Sequence, residues 1–185
     1  MTSVGVLVDV EALAVADIAH ADADECASLL GSMRRSRGWL DAVEARITSR
    51  LRALHDTTGS APAADAHGRH SGVSAAEGKR KERRSKTIDD APSFGDALAE
   101  GAIGAEHVDG LADATAKLDD DVRSQLLADE DALAEDAASM TPEEFARHCR
   151  DRVRQLERDH GIERHRQQRN DTFLTRKTNM RTGMV

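Results

Sequence analysis

From Cys26 to Leu54 the large apolar residues fall three or four positions apart, at Cys26, Leu29, Leu30, Met33, Leu40, Val43, Ile47, Leu51 and Leu54. That spacing is the period of one helix face, and it predicts a long helix over roughly 24–55. Arg34, Arg35, Arg37, Arg46, Arg50 and Arg52 mostly take the other side. Gly31 and Gly38 each weaken a helix interior by about 1 kcal/mol, which marks one of them as a bend or a helix crossing. Trp39, next to Leu40 and Val43, reads as a packing anchor between helices. Upstream, 4–19 alternates apolar and acidic residues and predicts a short helix. The acidic run 21–24 is placed to cap the long one.

Past the long helix the pattern breaks. Residues 57–73, rich in Gly, Ala, Ser, Asp and His, read as loop or linker. Ser74 followed by Glu77 is a capping box and predicts a helix start. The next stretch, 78–86, has no apolar face and six basic residues against one acidic. A helix there must face solvent or something acidic. Phe94, Ala97 and Leu98 with Gly101 as a stop predict a short helix. Ile103, His107, Val108 and Leu111 predict a second, and the two read as a helical hairpin. Asp119, Asp120 and Asp121 open another helix, where the N-terminal dipole favours acid, with Val122, Leu126, Leu133 and Ala137 on its apolar side. Thr141-Pro142-Glu143-Glu144 is the strongest boundary, with a capping Thr, Pro at the first helical position and Glu to complete the box. Phe145, Cys149, Val153 and Leu156 form the stripe that follows. Thr172, Phe173, Leu174 and Thr175 favour strand.

Composition narrows the picture. The chain has 185 residues and 39% hydrophobic residues. Thirty of those are Ala, which favours helix and leaves a lean core. Three Phe, one Trp and no Tyr exclude an aromatic-packed β-sandwich and aromatic platforms for stacking bases. The net charge of -8 is unevenly spread: 1–86 carries 13 basic and 12 acidic residues, 87–146 carries 2 and 17, and 147–185 carries 11 and 5. An acidic middle thus lies between two basic segments. The basic segments suit phosphates, or they pair with the acidic middle. No run of 18 apolar residues marks a membrane span, and the two cysteines form no CxxC. The cytoplasm is the expected compartment.

Several pieces, in order, resemble the 13E12-repeat family of actinomycetes, whose DUF222-type first domain has no assigned function. The most specific is AEGAIGAEHVDGLADA, 99–114, where Ala99, Gly101, Ile103, Glu106 and His107 match the family's helical turn. SMTPEEFARHCRDRV, 139–153, the Arg-rich 164–169, the ending TGMV, 182–185, and SGVSAAEGKRKERR, 71–84, also match. Asp65, His67, Gly68 and Arg69 resemble a short signature after the first long helix. The likeness covers 22–185. The chain departs from the family in lacking an apolar, Trp-containing segment after Arg69 and aliphatic residues within 79–86. The resemblance implies that relatives continue into a C-terminal HNH nuclease domain, which this sequence does not reach.

The expected fold is mainly α: a long N-terminal helix, a helical hairpin, further amphipathic helices and a short incomplete β segment at the C-terminus. Its expected divisions are 1–56 with the N-terminal helices, 57–73 as linker, 74–169 as a helical region with a central hairpin, and 170–185 as a β-prone tail cut before any HNH domain. No catalytic residue, cofactor site or metal site is expected in this chain; a divalent metal enters only with an HNH domain. The pair His67 and His70 reads as a solvated loop, Cys149 as a small buried hydrophobe, and His107 as a packing or hydrogen-bonding residue inside the hairpin. The candidate contacts to double-stranded DNA are Lys79, Arg80, Lys81, Arg83, Arg84 and Lys86, with Arg150, Arg154, Arg158, Arg164, Arg166 and Arg169. The alternatives are a protein-interaction module that self-associates through the long helix, or a truncated nuclease relic without independent activity. No membrane partner is expected.

Overall fold

The computed structural model describes the backbone over residues 3–174, with side chains described over 5–159 and at Gly161 and Ile162. Among the described residues there are nine helices and no strand: α1 (Ser3–Val15), α2 (Ala23–Thr58), α3 (Ala63–His70), α4 (Ala75–Asp90), α5 (Pro92–Ala99), α6 (Ala105–Thr115), α7 (Asp120–Leu127), α8 (Glu130–Ser139) and α9 (Pro142–Leu174).

Local signals set both ends of α2 and the start of α9. Asp22 accepts from the Glu25 amide at 2.9 Å, and Glu25 accepts from the Asp22 amide at 2.9 Å, so α2 opens on a complete box. It closes at Gly59, which is left-handed at φ 67° and donates to the His55 carbonyl. Thr141 and Glu144 make the equivalent box for α9. α4 opens with half a box: Ser74 caps the Glu77 amide, but the Glu77 carboxylate turns to Arg80.

Helix α2 is the spine. α1, α3, α4 and α5 pack on it; α6 packs on α4 and α9, α7 on α9, and α8 on α5. The core lies among α5, α6, α7, α8 and α9, where Phe94, Leu98, Ile103, Val108, Leu111, Leu126, Phe145 and Cys149 are all buried. Phe94 and Phe145 sit with ring centroids 5.8 Å apart.

Four expectations change. First, 57–73 contains helix α3, with Ala63 and His67 buried. Second, α5 and α6 exist but do not form a hairpin: α5 packs against α2 and α8, α6 against α4 and α9. Gly101, left-handed at φ 70°, turns the chain between them, and a Cβ there would sit 2.6 Å from the Arg35 Cα. Third, the single helix expected from Asp119 onward is two, α7 and α8, with Asp119 and Asp129 at their N-caps. Fourth, 170–174, expected as the start of a β segment, continues helix α9. Strand propensity is weak against extending a helix already under way, where each further residue adds a hydrogen bond. The remainder of that tail, 175–185, lies outside the described residues.

The face of α2 that enters the bundle also differs from its large apolar stripe. Buried there are Gly38, Ala42, Ala45 and Thr48. At Gly38 an added Cβ would lie 2.5 Å from the Leu98 carbonyl oxygen. Gly38 is therefore the helix crossing, and the small residues let α5 approach closely. Arg34 ties the crossing, donating from Nε to the Gly101 carbonyl at 2.9 Å and from Nη2 to Ala102 at 3.2 Å.

Candidate nucleic-acid interface

The first basic cluster lies on α4, which packs against α2, α3, α5 and α6. A helix this charged can be central because its inward charges meet carboxylates. Arg84 forms a two-pronged bond with Asp109 of α6, Nε to Oδ1 at 2.9 Å and Nη2 to Oδ2 at 2.7 Å. The Arg84 side chain is 8% exposed and that of Asp109 17%. Burial is the largest single influence and works against the Arg84 charge, but the Asp109 bond together with the charges of Asp109, Asp41 and Glu77 outweighs it and holds the guanidinium pKa up. Asp41 of α2 lies in the same cluster, and burial raises its carboxyl pKa against the pull of Arg84.

Lys81 pairs with Glu44 of α2. Glu44 also faces the His67 Nδ1 at 3.7 Å. The Thr48 hydroxyl donates to the Glu44 carbonyl at 2.7 Å, so it accepts from the His67 Nε2 at 2.8 Å. His67, read as a loop residue, is thus buried at 5% exposure and bonded to α2, while His70 is exposed. The two do not form a ligand pair. Ser85 donates to the Ala45 carbonyl at 2.9 Å.

Of the six candidates on α4, two are consequently drawn inward, Lys81 and Arg84. Arg80 pairs with Glu77 and lies 3.9 Å from Asp109. Arg83 is 3.2 Å from Asp113, both well exposed. Lys79 and Lys86 are exposed and make no ion pair with the described residues.

The second cluster is arranged differently. α9 buries Phe145, Cys149 and Val153 and half-buries Leu156. Helical periodicity puts Arg147, Arg150, Arg154 and Arg158 on the opposite face, and all four are exposed. Arg147 and Arg150 make no ion pair with the described residues. Arg154 lies 3.6 Å from Asp151, and the Arg158 Nε donates to the Arg154 carbonyl at 3.1 Å. Arg164, Arg166 and Arg169 belong to the helical backbone of α9, and their side chains lie outside the described residues.

Other candidate chemistry resolves into structure. Burial pushes the Cys149 thiol pKa up to about 12, which suppresses the thiolate a nucleophile needs. His107 accepts from the Gly104 amide through Nδ1 at 3.1 Å, so Nε2 carries the proton and donates to the Met140 carbonyl at 3.1 Å. It joins the start of α6 to the end of α8, a role sequence placed inside a hairpin. Among the described residues no group of three or more His, Cys, Asp or Glu side chains is arranged to hold a metal ion. No helix among them is long and apolar enough to cross a membrane.

The family described as a domain of unknown function, DUF222, matches residues 27–185 of the chain. The match runs from the first turns of α2 to the last residue. Neither a curated protein nor a solved structure matches the chain.

Proposed function

The chain belongs to the DUF222 family, and from that premise we propose that it is a non-catalytic helical module that holds double-stranded DNA by its phosphates. The observation that carries this reading is the row of exposed arginines on α9, Arg147, Arg150, Arg154 and Arg158, set opposite the helix's buried stripe. Successive members stand roughly 5 Å apart along the axis, because one residue advances a helix by about 1.5 Å. Arginines in such a row offer planar, always-charged donors to successive phosphates without reading sequence. The exposed Lys79 and Lys86 extend the basic surface on α4, whereas Arg84 and Lys81 are held by carboxylates of the same chain. The resemblance to HNH-associated proteins gives the row a purpose: it holds the duplex while a nuclease domain acts, in the cytoplasm.

Fluorescence anisotropy of labelled duplex DNA tests the reading. Affinity should fall on the order of 100-fold between about 50 and 200 mM salt, because each neutralised phosphate releases counterions. Replacing Arg150, Arg154 and Arg158 together by Glu should abolish binding to every duplex alike, with helicity unchanged. Binding that is absent at low salt, or indifferent to this triple replacement, would overturn it.

A further inference from the structure

Helix α6 lies between the two basic helices. Asp109 holds Arg84 of α4. The next residue, Gly110, meets α9: a Cβ there would stand 3.2 Å from the Ala146 Cβ. Successive residues point about 100° apart around a helix, so α4 and α9 take neighbouring sides of α6. Glu106 and Asp113 each lie three or four residues from both Asp109 and Gly110, which places them between those two directions. Both are exposed. A strip of carboxylates on α6 thus faces solvent between α4 and α9.

Both basic rows border this strip. On α4, Lys79, Arg83 and Lys86 follow a spacing of four and three, which puts them on one face, and all three are exposed. Arg83 reaches Asp113 at 3.2 Å, so this face opens beside the strip. On α9, Arg150 lies one turn beyond Ala146, so the arginine row runs along the strip's other side. With helix axes about 8–10 Å apart at each contact, α4 and α9 stand roughly 12–15 Å apart across α6. The major groove of B-form DNA is about 12 Å wide and the minor groove about 6 Å. The rows are spaced for the phosphate walls of the major groove and too widely for those of the minor.

We infer that this three-helix face holds both strands of a duplex at once. α9 takes phosphates of one strand, α4 takes those of the other, and α6 lies over the major groove between them. The inference rests on the reading of α9 given above, and it gives the face a preference for paired over single-stranded DNA. The carboxylates supply the discrimination. Over the groove they meet no phosphate, whereas a strand laid between the rows meets Glu106 and Asp113 and is repelled. A single strand is thereby confined to one row. The Arg83–Asp113 pair opens at little cost because both side chains are more than half exposed. Arg83 then joins Lys79 and Lys86 on the phosphates.

Anisotropy on the full chain, with a labelled duplex and with either of its strands alone, tests the inference. At about 50 mM salt the duplex should bind more than about 10-fold tighter than either strand. Lys79→Glu with Lys86→Glu should weaken duplex binding more than about 10-fold and single-strand binding less than about 2-fold. Neither lysine makes an ion pair with the described residues, so this variant should keep the parent circular dichroism. Asp113→Lys opens a seat for a strand between the rows and should raise single-strand affinity more than duplex affinity. Three results would overturn the inference and leave the reading of α9 standing: a single strand bound as tightly as the duplex, duplex binding indifferent to the α4 pair but abolished by the α9 triple replacement, or an equal gain for both forms in Asp113→Lys. No binding to either form of DNA would overturn both.

Discussion

Helices α4 and α9 each carry a dense run of basic residues, and the bundle uses them in opposite ways. On α4 the charges at Lys81 and Arg84 turn inward to Glu44 and Asp109, while Ser85 and Gly78 supply the close packing that aliphatic residues supply elsewhere. On α9 the inward positions are apolar, at Phe145, Cys149 and Val153, so its arginines have no interior carboxylate to meet and remain in water. A basic run is therefore a structural element where the opposite helix face lacks apolar residues. It is an available surface where that face already has them.

The comparison breaks most visibly at Arg84. Arg84→Ala removes both hydrogen bonds to Asp109 in a mostly buried site, leaving it only Arg80 at 3.9 Å, and should cost about 3 kcal/mol. Arg150→Ala on α9 should stay within about 0.5 kcal/mol of the parent. Urea unfolding of the two variants checks both. Equal effects would remove the distinction between the helices.

Glycine sharpens it at a smaller scale. In α4 a Cβ at Gly78 would stand 2.7 Å from the Ala64 carbonyl oxygen, whereas at Gly161 in α9 it would meet nothing within 4 Å. Gly78→Ala should force α3 away and cost about 1–3 kcal/mol. Gly161→Ala should stabilise by up to about 1 kcal/mol through helix propensity alone. Melting temperatures moving in opposite directions are the expected readout.

The smallest effects are in pH dependence. The Arg80 bond holds the Glu77 carboxyl below its ordinary 4.5, and the Thr141 amide and hydroxyl do the same for Glu144. Both carboxylates therefore contribute stability that is full above about pH 4.5 and is lost as pH falls through their lowered folded values. Asp41 has the opposite sign. Burial raises its pKa above 3.8, so its ionisation costs stability as pH rises through the raised value, and acidification restores it. Unfolding curves from pH 3 to 7 should show a flatter acid limb for Glu144→Gln, and stability at neutral pH no lower than the parent for Asp41→Asn.

Much of this was legible in the chain. Asp22 with Glu25, and Thr141 with Glu144, fix helix starts through bonds spanning three residues, so local sequence suffices. Cys149 on a three-and-four stripe reads correctly as buried, and the helical class follows from Ala content and the scarcity of Pro. The candidate surface was only half legible. Arg84 and Arg150 look alike in sequence, and nothing local distinguishes the one that will meet a carboxylate from α6. His67 was missed as a buried residue because its partner, Thr48, lies on a different helix. The small residues Gly38, Ala42 and Ala45 were the signal for the inward face of α2, at three- and four-residue spacing, beside the more conspicuous leucines.

The sequence by itself determined the helical fold class, the starts of the two long helices, the turn at Gly101 and the alternation of basic and acidic segments. These depend on backbone hydrogen bonding, steric limits and composition, which act within a few residues. The tertiary structure alone decided which face of α2 is covered, that α5 and α6 part company, and which basic residues stay in solvent. Those outcomes depend on how closely two backbones approach and on which carboxylate arrives from a distant helix. Burial removes a charge from water only where such a partner is waiting.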